Sequence, residues 1–583
     1  MTEQIMMPEL EYNGKIPKEL RDEALAAYNT YKGDKEQLIS LLKDNEKYYR
    51  DSYTKTVPLL KEKMNCNTPF IFSGIENATA DASENFPSPN IIERTPEGSK
   101  AAEALSKIIP VQLDMVRFKK TFKANTRNKL KYGTAVYGVF YSETTKNIDV
   151  RAIDILDIFV DMHLADIQDS KFLFISAAVS NDVLKSQYPE FADLFTGECS
   201  IETLTDTYSQ RNRSEVLDCY YKKPDGKLHM MKLCKGQIIE ATEDMDGYEN
   251  GLYNHGMYPV VFDVLYPVEH CPFGFGMIDI GKSTQVTIDK LDSAITKNIM
   301  INSNPRFMCK RNGGINEDEF SDLSKNIIHY EGDPASLVPV SAAQINQYFI
   351  NHRETKKDEL KELLANRDFQ QGSTSGGVTA ASAIQTLQQA GEKRSRSMVD
   401  DTYAAYRDIV VMIIEIIRQF YNEPRTFRIT DDFGQKAFMT FSSDEMYERP
   451  KMYGDEYKPI EFDIDIVPQR ENPYSQESMN NTLLTLYQSG LLNPDNYEAS
   501  MMILKNMSFD GKTKLISDFQ RLKEERNAQM QQMSSAPQTG SNEITPVDIG
   551  AQNELQQAQT QQIQTEDELI PIAITGGDEA NAV

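Results

Sequence analysis

The sequence predicts an α+β fold drawn out into several parts, and three observations predict it. Apolar residues recur at helical spacing near the N-terminus and again from Gly274 onward. Short alternating runs rich in Val, Ile, Tyr and Phe fill the stretch between them. Residues 531–583 turn to Gln, Asn, Ser, Thr and acids, a composition that cannot bury a core of its own. A chain of 583 residues also exceeds what one core supports, since single cores stop growing at roughly 250–300 residues.

Taken in order, residues 17–65 carry an amphipathic helical pattern, and the polar stretch "ENATADASENFPSPN" reads as a loop or flap. From Ala101 to Lys131 a second helical pattern places Lys119, Lys123, Arg127 and Lys131 at steps of four, on a slowly drifting stripe of one face. That stripe suits either phosphate or an acidic protein face, and the acid-rich chain favours the second. The runs "TAVYGVFY", "NIDVRAIDILDIFVD", "FLFISAAV", "SEVLDCYYKK", "KLHMMKLCKGQIIEA" and "YPVVFDVLYPV" read as strands.

From "GFGMIDIG" the period changes: Ile288, Leu291, Ile295 and Ile299 define a helix behind a Gly-x-Gly lead-in. Pro305 and the Gly313–Gly314 pair break it and open a small strand-and-turn module. A returning helix follows in "AAQINQYFINHRETKKDELKELLA". Next comes an uncharged stretch, "QGSTSGGVTAASAIQTLQQAG" (Gln371 to Gly391), passing into a long helix that ends near Tyr421. "TFRITDDFGQKAFMTFSS" and "PIEFDIDIVPQR" return to strands, and 475–530 is helical again.

Composition and motifs exclude several functions. A net charge of −26 opposes simple coating of nucleic acid, which Lys and Arg drive by displacing counterions. The six cysteines are far apart with no C-x-x-C pair, so neither a zinc ribbon nor a redox motif is spelled out. "MTEQIMMPELEYNGK" has no basic or apolar leader region, and no run approaches the ~18–20 apolar residues of a membrane helix, so synthesis in the cytoplasm is expected. Walker A, G-x-G-x-x-G, H-E-x-x-H and G-x-S-x-G motifs do not occur, and no cofactor or resident metal is expected. The enzymatic alternative is a metal-dependent nucleic-acid-processing enzyme using dispersed ligands such as Asp154, Asp157 and Asp161, although the β-branched residues between them favour strands that scatter the set.

The order of these parts resembles the portal proteins of tailed bacteriophages, ring subunits of the head–tail connector at the capsid vertex. "KYGTAVYGVFY" (131–141), "DILDIFVD" (154–161), "CPFGFGMIDIGKSTQVTIDKL" (271–291) and "GVTAASAIQTLQQAGEKR" (377–394) carry the likeness. The resemblance implies a non-enzymatic portal-type subunit with an N-terminal helical part (1–67), an α/β wing (68–276), stem helices at 277–302 and 342–365 flanking a clip (303–341), a tunnel loop (366–377), a long wing-spanning helix (378–422), wing return strands (423–474), a helical crown (475–530) and a polar tail (531–583). It implies a homo-oligomeric ring, normally of twelve subunits, around double-stranded DNA during packaging and ejection. Terminase large subunit, head–tail adaptor, major capsid protein and scaffolding protein are the implied partners, with the ring assembled in the host cytoplasm and carried in the virion.

On this resemblance Asn366, Arg367, Gln370, Gln371, Gly372, Ser373, Thr374, Ser375, Gly376 and Gly377 face DNA, and Arg306, Lys310, Arg311 and Asn312 serve terminase docking. Lys119, Lys123, Arg127, Lys131, Arg394 and Arg396 are expected at subunit interfaces. The uncharged loop suits such a channel, because each Lys or Arg on the path of a duplex carrying one charge per ~1.7 Å would hold phosphate.

Overall fold

The computed structural model describes residues 14–52, 68–303, 306–309, 337–340, 346–364, 393–430, 436–448 and 458–470, with single positions at 318, 480, 485, 501 and 521. All but Arg521 belong to one compact unit, Met1–Asp510; the other unit is Gly511–Val583.

Helix α1 (Lys18–Tyr49) buries Ala24, Tyr28, Lys35, Ile39 and Leu42, whose spacing keeps them on one face. Helix α2 (Phe70–Glu84) runs straight into strand β1 (Asn85–Glu93), which overturns the loop expected of "ENATADASENFPSPN". Its polar look misleads for a physical reason: β1 is held by a strand far along the chain, β18 (Phe462–Arg470), with Asn85 opposite Arg470 and Glu93 opposite Phe462. The helical pattern from Ala101 to Lys131 is two helices, α3 (Ser99–Met115) and α4 (Phe118–Tyr132). Arg117 between them adopts a left-handed φ of 56°, which no α-helix continues through.

The strands that follow are β2 (Thr134–Ser142), β3 (Asn147–Ile153), β4 (Ile158–Phe159) and β5 (Phe172–Ser180). After α5 (Asn181–Gln187) come β6 (Glu198–Glu202), β7 (Thr207–Arg211), β8 (Arg213–Lys222), β9 (Leu228–Cys234) and β10 (Gln237–Ala241), then β11 (Val260–Val264), β12 (Tyr266–Val268) and β13 (Cys271–Phe275). They form a five-stranded sheet in the order β10-β9-β8-β5-β4, a three-stranded sheet β11-β2-β3 and separate hairpins. Helix α6 (Met277–Ser303), the antiparallel pair β14 (Arg306–Cys309) and β15 (Leu337–Val340), and helix α7 (Gln347–Leu363) make a long hairpin. Helix α8 (Lys393–Phe420), β16 (Arg425–Thr430), β17 (Lys436–Phe441) and β18 (Phe462–Arg470) complete the described elements.

Four hydrophobic clusters form among the described residues, the smallest of them around Leu184, Phe195 and Val216. Helices α3, α4 and α8 enclose the three-stranded sheet through Leu105, Ile109, Phe118, Val136, Val139 and Val260. Along α8 the fully covered residues Tyr406, Ile409, Val410, Ile413, Ile416 and Ile417 form its apolar stripe, each worth about 1.5–3 kcal/mol on burial. The first half of α1 packs Tyr28 on Phe159 and Phe174 of the five-stranded sheet, ring centroids 5.1 and 5.4 Å apart. Ile71 and Ile75 of α2 meet Met277 and Ile288 of α6 and Leu360 of α7 in the third cluster.

Candidate functional site

The base of the α6–α7 hairpin is where the most polar chemistry converges. Its backbone crossing is close: Gly133, at φ 82°, has Phe275 main-chain atoms 2.3–2.5 Å from where a Cβ would stand. A Cβ on Gly276 would meet the Lys131 carbonyl oxygen at 2.5 Å, so the Gly-x-Gly lead-in is a packing requirement. One residue later α6 begins, and Asp279 in its first turn accepts a hydrogen bond from the Gly276 N–H at 3.2 Å. Asp279 also accepts from Asn45 of α1 at 3.0 Å, tying the end of one helix to the start of the other.

Beside Asn45, the buried Glu46 accepts from Lys131 at 2.5 Å, from Arg50 at 2.6 Å and from the Tyr132 hydroxyl. Burial alone would raise Glu46, yet these three donors hold its carboxyl below the usual range. Burial pushes Lys131 down in spite of Glu46, and it drives the Tyr132 hydroxyl well up, with Glu46 adding to the rise. A second joint links α4 to α2: Arg127 spans Glu76 at 2.7 and 2.8 Å, and Tyr49 of α1 donates to the same carboxylate at 2.6 Å. The Arg127 contact holds Glu76 below its usual range.

A third joint fixes the long helix α8. Lys129 of α4 reaches Asp263 of β11 at 2.5 Å and the Thr402 hydroxyl of α8 at 2.8 Å, with the Met398 carbonyl at 3.3 Å. The two charged side chains are 2% and 1% exposed. Burial raises Asp263 while Lys129 and Thr402 pull it back. Such a pair is tolerated only where further hydrogen bonds support it, and here α8 supplies two to Lys129, from the Thr402 hydroxyl oxygen and the Met398 carbonyl.

Along the hairpin, charge is matched within the subunit. Arg353 of α7 grips both oxygens of Asp292 of α6, at 2.6 and 3.1 Å. Lys356 pairs with Glu359 at 2.6 Å and Lys357 with Glu354 at 3.6 Å. Large apolar side chains are exposed here: Tyr348, Phe349 and Ile350 at the start of α7, Ile299 on α6, and Met308 and Val338 on the β-pair.

The expected site residues fall differently across this geometry. Lys119 and Lys123 are exposed on α4, whereas Arg127 is half-buried against Glu76 and Lys131 is buried against Glu46. The reason is the drift of the stripe, about 40° for each four-residue step at 3.6 residues per turn, which carries its far end into the body. Arg306 opposes Val340 in the β14–β15 pair, and Arg394 and Arg396 occupy the first turn of α8. Lys310, Arg311, Asn312 and 366–377 lie outside the described residues, as does the expected part of the long helix before Lys393.

The dispersed-aspartate alternative gains no support. Asp154 accepts from the Leu156 N–H at 3.0 Å and Asp161 from the His163 N–H at 2.9 Å, so both serve local turns. Burial, with Asp154 beside it, pushes Asp157 up to about 6, and the buried Lys35 of α1 donates to the Leu156 and Ile158 carbonyls nearby. Among the described residues no group of three or more His, Cys, Asp or Glu could hold a metal ion.

Of the joints that sequence reading missed, Lys129–Asp263–Thr402 had a signal and Glu46–Lys131 had none. Asp263 interrupts the apolar strand "VVFDV", and a lone charge at a buried strand position demands a partner.

What these residues define is an α+β protein in which buried polar joints lash a long two-helix hairpin and a long helix to a sheet-bearing body. The chain belongs to the phage P22-like portal protein family, whose model matches residues 274–568. Among curated proteins, none matches this chain in sequence. The family is structural, and membership implies a ring of subunits at the capsid vertex of a phage. Among the described residues no helix is long and apolar enough to cross a membrane.

Proposed function

We propose that the ring forms the channel through which double-stranded DNA is packaged and ejected, with no catalysis of its own, while a terminase supplies the work. The observation that carries this reading is the family match beginning at Gly274, where the α6–α7 hairpin starts. On this reading the body up to 276 and the strands after 423 form the wing, α6 and α7 the stem, and the β14–β15 region the clip, where Arg306, Lys310, Arg311 and Asn312 meet terminase and later the adaptor. Residues 366–377 form the tunnel loop and 475–530 the crown, in a ring of twelve.

The stem's ion pairs fit a conduit for a polyanion, because a lysine held by a glutamate offers phosphate little. The uncharged loop extends that logic to the narrowest point. Lys119 and Lys123, exposed on α4, are the part of the basic strip suited to an acidic neighbouring subunit. End-on electron micrographs of purified protein test the ring directly, and a particle without a central hole rejects it. Ser373→Lys with Thr374→Lys should slow packaging in a single-molecule assay; an unchanged velocity rejects the quiet-loop reading while leaving the ring intact.

A further inference from the structure

Three buried side chains at and around the Lys129–Asp263 pair each keep a polar atom without a hydrogen-bond partner among the described residues: Asn125 Oδ1, the Tyr137 hydroxyl and Asp263 Oδ2. None of the three residues is more than 2% exposed. A polar atom left unfed at that depth costs more than an ordinary hydrogen bond returns, so three together demand an account.

The backbone gathers them. In the pairing of β2 with β11, Tyr137 stands opposite Val261 and Ala135 opposite Asp263, so these four side chains leave one face of the sheet and Tyr137 is the diagonal neighbour of Asp263. Helix α4 reaches the same place twice. Its Lys129 meets Asp263, and Asn125, one turn earlier, donates its amide to the Val136 carbonyl at 3.0 Å. Burial pushes the Tyr137 hydroxyl well up, Asp263 adds to the rise and the Asn125 side chain draws it back, so the hydroxyl stands in the field of both.

The donors nearby are committed. The Asn125 amide serves Val136, and the Lys129 ammonium serves Asp263 Oδ1, the Thr402 hydroxyl oxygen and the Met398 carbonyl. The Thr402 hydroxyl donates to the Met398 carbonyl at 3.1 Å. What remains is one hydroxyl hydrogen and two acceptors. A direct bond from Tyr137 to either acceptor leaves the other unfed, whereas a group with two hydrogens to give and a lone pair to receive completes all three. Water is that group, and internal waters typically make about three such bonds. Charge points the same way: Lys129 already matches the carboxylate at 2.5 Å and would repel a cation, while the carboxylate would repel an anion. Opposite Asp263, Ala135 puts only a methyl group on this face.

We propose that Asn125, Tyr137 and Asp263 form a binding site for one internal water molecule, which donates to Asn125 Oδ1 and Asp263 Oδ2 and accepts from the Tyr137 hydroxyl. The site ties α4, β2 and β11 at a second point beside the Lys129–Asp263–Thr402 joint. It is independent of the channel reading, since it lies within the core of one subunit.

Density maps of the full-length protein that resolve ordered water, for wild type and for Tyr137→Phe, test it. Wild type should show one peak within about 2.5–3.2 Å of all three atoms. Tyr137→Phe removes one of its three anchors, so the peak should weaken or vanish while Asn125 and Asp263 keep their places. The variant should also lower the folding equilibrium constant about fivefold in chemical denaturation, as loss of a formed hydrogen bond does. A wild-type map without the peak, or with Tyr137 bonded directly to either acceptor, overturns the site. A variant more stable than wild type overturns it equally, because that is the mark of a hydroxyl buried with no partner.

Discussion

Asp263 of β11 and Asp289 of α6 are both shut away from solvent, and their surroundings differ in the sign of the nearest influence. Asp263 has the Lys129 ammonium at 2.5 Å and a hydroxyl from α8 beside it. Asp289 is bracketed by the acids Asp51 and Asp292 and bonded by an amide and a backbone group. The same side chain in the same low-polarity medium therefore does two jobs. With a cation in contact the carboxyl is held in an ion pair; where burial dominates, with Asp51 and Asp292 adding to it, it is pushed up to about 8.

Five single substitutions test this comparison and the joints around it. The largest effect belongs to Lys129→Met, which strands Asp263 without its cation and should cost about 3–5 kcal/mol of stability by chemical denaturation. The double variant Lys129→Met with Asp263→Leu should recover most of that loss; if it does not, the pair is not the source. Next is Asp289→Asn. The native group keeps its proton to about pH 8 and the unfolded one to about pH 4, so its contribution is full below pH ~4 and is lost as pH rises through 8. The variant's advantage over wild type should therefore grow by roughly 1.4 kcal/mol for each pH unit between these limits.

Thr402→Val removes the hydroxyl oxygen that accepts from Lys129 and should cost about 1 kcal/mol, with the ion pair weakened and the helix retained. A smaller effect is expected of Arg127→Ala: its bond to Glu76 is partly exposed and should contribute less than about 1 kcal/mol to monomer stability. Lys123→Glu should leave subunit stability nearly unchanged and lower the mass of assembled rings; mass photometry showing full rings would reject Lys123 as a contact.

Periodicity made α8 readable because one face of it is buried and its apolar residues repeat at helical spacing, whereas on α6 only Ile288 of the four spaced residues is buried and within α7 only Leu360 is. Between β2 and β11 most strands were legible by alternation and β-branching, but β6 and β7 were not read as strands. What escaped depended on partners distant in sequence. Nothing within "ENATADASENFPSPN" reveals that β18 will hold its second half, and nothing local to Lys131 says that Glu46 waits to receive it. The four-step basic stripe was real as a pattern, but its two ends belong to different environments. Asp289 was legible in principle: Gln285, Ile288, Asp289 and Asp292 share one helical face, where an acid beside a covered isoleucine signals a paired or proton-bearing carboxyl.

The pairing of β1 with β18 sets a timetable for synthesis. Glu93 leaves the ribosome long before its mate Phe462 exists. At ~5–20 residues per second the wait is on the order of 20–75 s, during which the early strand has an unsatisfied edge. A newborn subunit thus keeps this edge open until Phe462 has been made, and closing the seam joins parts of the chain made far apart in time.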